Sequence, residues 1–306
     1  MPRINVALLL VLLAIAARAT PRLKRVAAQD EDDERRQQHD HERSNHGEHF
    51  GYEKPDDWSE DYPACAGVRQ SPINIELQDV ETMDSWRPPL GRFGYDSKPL
   101  EMSISNNGHS VQLTGVWPLH DTPSVYGGPL TGLYQLAQVH FHWGAENGVG
   151  SEHTVANHSF PLEMHMVHWK KIYQNLTEAL NHDDGLVVLG YLMSLDKSAN
   201  MGIERMRSSF SSILKPGQSA RIEPFPLSLF DLDLLKEGYV TYPGSLTTPP
   251  CSESVIWLIS VRIKDVTIDE LESFRKLHLH NDDKHNYRPT QPRNSRSIYY
   301  FYDIPI

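Results

Sequence analysis

Apolar and polar positions alternate or cluster over short distances along most of this chain, a pattern that predicts strands rather than long helices. The segment from Gln138 to Trp143 alternates strictly. Gln138, His140 and His142 would therefore share one face of a strand while apolar residues occupy the other. The runs Leu186 to Met193 and Val255 to Ile263 are almost continuously apolar, as expected of strands covered on both faces.

Two segments carry a helical period instead. The first runs from Met201 to Leu214, with its apolar positions at Ile203, Met206, Phe210 and Ile213. The second runs from Thr267 to Leu277 and opens with the capping box Thr267-Ile268-Asp269-Glu270. We expect the second helix to bury Ile268, Leu271 and Phe274. The chain shows no internal repeat.

The N-terminus has the layout of a secretory signal peptide. Residues 1–19 begin with Arg3, continue through an apolar run from Val6 to Ala16, and end in Ala17-Arg18-Ala19, which predicts cleavage before Thr20. A membrane anchor is the alternative, but the apolar run is shorter than the roughly 20 residues that span a bilayer.

Residues 20–48 form an acidic, histidine-containing segment with almost no apolar positions, so we expect it to be disordered. The stretch Arg22 to Arg25 resembles a basic processing site, which would make a propeptide to about residue 25. A simple basic flank is the alternative. The acidic stretch could concentrate calcium or another metal, or serve only as a solvated arm. Residues 49–304 then have the length and composition of one globular domain.

The net charge and the C-terminal sequence argue against two kinds of partner, nucleic acid and a membrane. The net charge is −11, and it becomes −13 once Arg3 and Arg18 leave with the signal peptide. No basic cluster remains that could hold nucleic acid. Because no apolar tail follows Tyr302, we expect no membrane anchor. These features predict a soluble, secreted protein; its oligomeric state stays open, with a monomer as the default.

Two cysteines and two glycosylation sequons agree with export. Cys65 and Cys251 are the only cysteines, and an even count in an oxidising compartment suggests a bridge, with two buried thiols as the alternative. The sequons begin at Asn157 and Asn175.

The most specific chemistry lies in three histidines. His140 and His142 would point the same way from one strand, and His165 from a neighbouring strand would complete a set that leaves a zinc ion one open position. Gln138 and Glu163 each precede a histidine by two residues, where they can accept its second N–H. With 16 histidines in the chain, chance pairs are expected, and His39/His41 and His278/His280 are such pairs because they lack this setting.

Seven ordered sequence blocks make the chain resemble the α-class carbonic anhydrases, in the secreted form with one disulfide. They are SPINI (Ser71 to Ile75), NNGHSV (Asn106 to Val111), QVHFHWG (Gln138 to Gly144), GSEHTV (Gly150 to Val155), LEMHMVHW (Leu162 to Trp169), GSLTTPPC (Gly244 to Cys251) and NYRPTQP (Asn286 to Pro292). The resemblance covers about Phe50 to about Tyr302. Secreted members also carry one cysteine before the SPI block and one directly after TTPP.

The resemblance implies a fold and a reaction. The fold is mainly β, a large, twisted, mostly antiparallel sheet with short peripheral helices. The reaction is the zinc-dependent, reversible hydration of carbon dioxide to bicarbonate, for which carbonic anhydrases are the standard example of a three-histidine zinc site. The substrate is therefore a small molecule.

The resemblance also assigns roles to single residues. Thr247 and Glu152 would form the hydrogen-bonded pair that orients the attacking water, and His109 would shuttle the released proton. The backbone carbonyl of Asn286 would accept the second N–H of His142. The apolar pocket for carbon dioxide and the polar cavity wall are assigned to Val167, Val188, Leu246, Thr248 and Trp257, and to Tyr52, Asn107 and Gln112, respectively.

Two positions depart from the pattern of the best-known members: Gln112 stands where they have Asn, and Phe50 stands where many have Trp. Neither change touches the metal ligands. Two rival functions remain at this point. One is a non-catalytic carbonic-anhydrase-related binding module; the other is a mineral- or matrix-associated protein that uses the acidic tail.

Overall fold

The computed structural model describes residues 50–83, 88–118, 120–232 and 237–302. Gly51–Ile306 forms one compact unit. The signal peptide at residues 1–19, the basic stretch at Arg22 to Arg25 and the acidic segment at 20–48 lie outside the described residues and stay predictions.

Short strands make up most of the regular structure. In chain order they are β1 (Asn74–Ile75), β2 (Val80–Thr82), β3 (Gly91–Phe93), β4 (Glu101–Asn106), β5 (Val111–Val116), β6 (Ser124–Tyr126), β7 (Tyr134–Trp143), β8 (Thr154–Val155), β9 (Leu162–Lys170), β10 (Leu186–Leu195), β11 (Ser219–Ile222), β12 (Tyr239–Gly244), β13 (Val255–Ser260), β14 (Lys264–Val266) and β15 (Ile298–Phe301).

The helices among the described residues are short. The α-helices are Trp58–Asp61, Leu176–Ala179, Met201–Arg207 and Ile268–Arg275. Single 3₁₀ turns lie at Pro55–Asp57, Pro63–Ala66, Leu77–Asp79, Lys171–Tyr173, Phe210–Ser212, Leu227–Phe230 and His280–Asp282. None of the described helices is long and apolar enough to cross a membrane.

Thirteen of the described strands form one large sheet in the order β11-β4-β5-β7-β9-β10-β13-β12-β15-β2, with β14 beside β10, β6 beside β7 and β3 beside β6. Most neighbours are antiparallel; the parallel pairs in this sheet are β10–β13, β10–β14 and β15–β2. The prediction of a mainly β fold with a large, mostly antiparallel sheet and short helices is confirmed.

Apolar side chains cover both faces of the central strands. Along β10, Val187 and Leu189 belong to one buried cluster, whereas Leu186 and Val188 belong to the other. The continuous apolar run predicted this arrangement. On β7, the apolar residue Phe141 packs into the first cluster, so the histidines face the opposite side of the sheet.

The helical segments differ from the prediction in two details. The helix at Met201–Arg207 ends before Ser208 and Ser209, whose side chains favour competing local hydrogen bonds, and only a 3₁₀ turn follows. All four apolar positions predicted for this segment are nevertheless buried. In the helix Ile268–Arg275, Leu271 and Phe274 are buried but Ile268 is 45% exposed, contrary to expectation. Residues three apart sit about 60° apart around a helix, so the stripe turns away from the core in the first turn.

The apolar run from Val255 to Ile263 forms a shorter strand than predicted. The strand β13 stops at Ser260, three residues before the predicted end, and the Ser260 hydroxyl accepts the N–H of Arg262 at 3.3 Å. A side chain that takes a backbone donor in this way replaces the ladder hydrogen bond that would extend the strand.

Candidate metal centre

Strand register brings the three predicted histidines together. In the antiparallel pair β7–β9, His140 lies directly opposite His165, and His142 follows two residues later on the same face. The ring centroids of the three imidazoles are 4.6–5.1 Å apart. The three nitrogens are close enough together to hold one metal ion.

Each imidazole is oriented by a hydrogen bond from its other nitrogen. Nδ1 of His140 donates to the side-chain oxygen of Gln138 at 2.9 Å. Nδ1 of His142 donates to the backbone carbonyl of Asn286 at 2.7 Å. Nε2 of His165 donates to Glu163 at 2.7 Å. All three acceptors lack a proton, so the donor positions on the rings are fixed, and the remaining nitrogens point lone pairs into the site.

The spacing of these lone pairs fits zinc. Nδ1 of His165 lies 3.3 Å from Nε2 of His140, and neither nitrogen carries a hydrogen that could bridge them. Two nitrogens bound at about 2.0–2.1 Å to one tetrahedral zinc ion are about 3.3–3.4 Å apart. The three-imidazole donor set and this nitrogen–nitrogen distance are therefore those of a tetrahedral zinc site.

Burial keeps the ligands in their metal-binding form. It lowers the pKa of His142 to about 3, with the neighbouring His165 adding to the effect. Burial and the neighbouring His142 and His165 likewise hold the pKa of His140 well below its usual value. The three rings are thus neutral near pH 7, as metal binding requires.

Glu163 is the carboxylate at the base of the site. Burial alone would raise its pKa, but His153 and His165 outweigh that effect and hold the pKa well below its ordinary value. One oxygen accepts from Nε2 of His165 and from Nδ1 of His153, both at 2.7 Å. The other accepts the backbone N–H groups of Glu152 and His153, both at 2.8 Å. Glu163 is therefore ionised and fully hydrogen-bonded.

A buried polar chain that sequence reasoning missed continues from Glu163. Nε2 of His153 lies 2.6 Å from the hydroxyl of Tyr242, which in turn donates to the Ser71 hydroxyl at 3.0 Å. The signal in the sequence was that His153 and Ser71 fall inside two of the family blocks, GSEHTV and SPINI. This chain anchors Glu163 to β12.

Glu152 and Thr247 meet beside the histidines. Burial, and secondarily Glu163, raise the pKa of Glu152 well above its usual value, while hydrogen bonds from Thr247 and from the Arg288 backbone oppose that rise. The Arg288 N–H donates to one Glu152 oxygen at 2.9 Å. The other oxygen lies 3.3 Å from Nε2 of His142, the ring nitrogen that faces the metal centre.

Arg288 is a second residue that sequence reasoning missed. Its buried guanidinium donates to the side chain of Gln70 at 2.8 Å and to the carbonyls of Ser71 at 3.0 Å and Cys65 at 3.1 Å. Arg288, whose backbone N–H binds Glu152, thereby joins its own segment to the segment from Cys65 to Ser71 in the N-terminal part of the domain. Its position in the NYRPTQP block was the available signal.

The predicted apolar pocket residues lie together because of strand pairing. Val188 lies opposite Val167 on one side and Trp257 on the other, across three adjacent strands. All three are buried, and Leu246 packs against the cluster that contains them. Thr248 is half-buried in the same loop as Thr247. These residues form an apolar wall beside the histidines.

Of the residues predicted for the polar cavity wall, one lies in the sheet beside a metal ligand and another stabilises a turn. Gln112 lies opposite His140 on β5. Asn107 closes the turn before β5 by accepting the backbone N–H groups of His109 and Ser110 at 2.9 and 2.8 Å. His109 is half-buried, and its ring stands edge-on to that of the buried Tyr52, with centroids 6.5 Å apart.

Cys65 and Cys251 form a disulfide that closes 186 residues of sequence. Within the loop after β12, the N–H of Cys251 donates to the carbonyl of Thr248 at 2.9 Å. The bridge thus ties the loop that carries Thr247 to the start of the domain, and the sequence expectation of a bridge rather than two thiols agrees with the structure.

Comparisons with known proteins agree with this geometry. The family model described as eukaryotic-type carbonic anhydrase matches residues 53–302. Carbonic anhydrase 7 of Homo sapiens is 38% identical over 263 residues, covering 83% of this chain and 96% of that protein. Carbonic anhydrase 7 of Mus musculus is 39% identical over 253 residues, covering 80% of this chain and 92% of that protein.

Proposed function

Because this chain belongs to the eukaryotic-type carbonic anhydrase family, we propose that it hydrates carbon dioxide reversibly to bicarbonate and a proton outside the cell. The chain is a zinc-dependent carbonic anhydrase, and its three retained ligand histidines favour this activity over the non-catalytic binding module. The observation that carries the choice of site is the convergence of three nitrogen lone pairs, from His140, His142 and His165, with no proton between them.

Zinc, when bound by these three residues, supplies the Lewis acidity that makes a water molecule nucleophilic at neutral pH. The protein fixes where that water can react. Gln138, Glu163 and the Asn286 carbonyl hold the three rings, so the ligands need little reorganisation on binding.

Thr247 and Glu152 are suited to orient the attacking water. The proposed role requires Glu152 to accept the hydroxyl hydrogen of Thr247, so that the oxygen of Thr247 is left to accept a hydrogen from that water. This selects one lone pair of the water for attack. Carbon dioxide, which needs no hydrogen-bond donor, would lie against Val167, Val188 and Trp257.

Each turnover also releases a proton, which must leave the site. His109 is half-buried on the turn before β5, and imidazole is the side chain that exchanges protons most readily near neutral pH. We assign it the role of carrying this proton toward solvent.

The direct test is stopped-flow carbon dioxide hydration by wild type and His140→Ala, with zinc content measured in the same preparations. We expect wild type to hold one zinc per chain and His140→Ala to lose both zinc and activity. His278→Ala, which changes an exposed histidine, is the matched control and should resemble wild type. Equal hydration rates in wild type and His140→Ala would refute the assignment.

The extracellular location rests on the predicted signal peptide and on the cysteine pair. A disulfide between Cys65 and Cys251 persists in oxidising compartments and is rare in the cytosol. We expect a secretory cell line to export the full chain with an N-terminus at Thr20, or after Arg25 if the basic stretch is processed. Deleting residues 1–19 should abolish export; unchanged export would refute the location.

Asn157 and Asn175 are both exposed and are the proposed glycan attachment points. The Asn175 side-chain oxygen caps the helix Leu176–Ala179 by accepting the N–H of Glu178 at 2.8 Å, which leaves its amide nitrogen available for a glycan. Treatment of the exported protein with a peptide N-glycosidase should reduce its mass. Asn157→Gln and Asn175→Gln should each reduce the mass of the exported protein by one glycan. Failure of both variants to change the mass would exclude glycosylation at these sequons.

A further inference from the structure

The turn that carries His109 has a second imidazole against it. The ring centroids of His109 and His280 are 5.3 Å apart, close to the spacing within the metal centre. Both residues are half-buried, so each is in contact with protein on one side and accessible to solvent on the other. From the sequence, His278/His280 was only a chance pair behind a helix.

The fold builds this juxtaposition through the backbone. The N–H of His280 donates to the carbonyl of Gly108 at 2.7 Å, one residue before His109. Gly108 has φ +88, and a Cβ added there would lie 1.8 Å from Cδ2 of His280. The His280 ring thus occupies the space that only a glycine leaves open.

We propose that His280 is a second proton-transfer group, which receives the proton from His109 and delivers it to buffer. This inference rests on the proposed function, because His109 must first take the proton from the site. An N–H bond of the His109 imidazolium breaks and an N–H bond on neutral His280 forms. His109 is neutral again, and the His280 imidazolium then loses its proton to a buffer base.

A relay of this kind separates the two kinetic constants. Hydration of carbon dioxide, reported by kcat/KM, does not involve His280, whereas proton export limits kcat when buffer is dilute. A residue that only supports the fold would change both constants, or the zinc content, instead.

The test is stopped-flow hydration at low buffer concentration with His280→Gln, His109→Ala, the double variant, and His278→Gln as the matched control. We expect His280→Gln to lower kcat about threefold with kcat/KM and zinc content unchanged, and added imidazole to restore the rate. In the His109→Ala background, His280→Gln should have no further effect. His278→Gln should behave as wild type.

Several outcomes overturn the relay. A kcat for His280→Gln equal to that of wild type, an equal fall in kcat and kcat/KM, or an undiminished effect in the His109→Ala background would each do so. Inactive wild type would instead refute the proposed function, and a normal kcat in His109→Ala would refute the role of His109. The failures are therefore distinguishable.

Discussion

The carboxylate of Glu163 accepts four hydrogen bonds at the metal centre, two from imidazoles and two from backbone N–H groups. It orients His165 directly and, through His153, is tied to the Tyr242 hydroxyl on β12. At the scale of single residues, the metal ligands are thus held by partners whose own positions are fixed by further bonds, so a change in a partner should be felt at the metal.

Glu163→Gln should weaken zinc binding. The amide puts a donor where one of the four donors now binds, so His165 loses orientation and basicity, and we expect the zinc dissociation constant to rise about 10–100-fold. Competition with a chelator measures it. Glu253→Gln is the control, because Glu253 pairs with Arg69 and does not contact the three histidines. It should leave the zinc dissociation constant unchanged. Wild-type affinity in Glu163→Gln would contradict the role given to the carboxylate.

His168 should make stability depend on pH. Burial lowers its pKa to about 4. The unfolded chain therefore binds the extra proton first, and stability falls as the pH drops from about 6.5 toward 4, by up to about 3 kcal/mol from this group. Urea unfolding of wild type and His168→Gln at several pH values measures the difference. The stability curve of the variant should be flatter over this window; parallel curves would contradict the expectation.

At the scale of elements, strand pairing and helix capping do most of the positioning. Alternation along β7 puts Gln138 on the same face as His140, and pairing with β9 puts His165 opposite His140. The helix Ile268–Arg275 has the predicted capping box, with the Thr267 hydroxyl accepting the N–H of Glu270 at 3.3 Å. Its Arg275 donates to the carbonyl of Gly144, just beyond β7, at 2.9 Å.

Thr267→Ala should destabilise the domain by about 1 kcal/mol, the usual effect of losing an N-cap side chain. Denaturant unfolding measures it. Thr267→Ser keeps the hydroxyl and should be near wild type, and kcat/KM should be unchanged in both because the cap is not part of the metal centre. Equal destabilisation by alanine and serine would show that the hydroxyl is not responsible.

At the scale of the whole molecule, the disulfide and Arg288 join the beginning of the described domain to its end. Cys65 is bridged to Cys251, and Arg288 donates to the carbonyl of Cys65 at 3.1 Å while its backbone binds Glu152. Residues far apart in the chain therefore hold the loop that carries Thr247.

The variant Cys65→Ser/Cys251→Ser should be less stable than wild type by about 3–5 kcal/mol. Opening a link that closes 186 residues restores much of the entropy of the unfolded chain. Urea unfolding with and without reductant measures it. Reductant should destabilise wild type and leave the variant unchanged; insensitivity of wild type would contradict the contribution of the bridge.

The sequence by itself determined the features that repeat over a few residues. The face shared by Gln138, His140 and His142 follows from the two-residue period of a strand, and the cap at Thr267 follows from the first turn of a helix. The seven blocks added the family, and with it the expected pairing of Thr247 with Glu152.

Only the tertiary structure decided which distant residues meet. The approach of His140 to His165, the chain from Glu163 through His153 to Tyr242, and the placement of His280 against Gly108 depend on register and packing between segments. Local periodicity fixes the direction of a side chain but not its partner on another segment, because that partner is chosen by how the whole sheet and its loops bury their apolar surface.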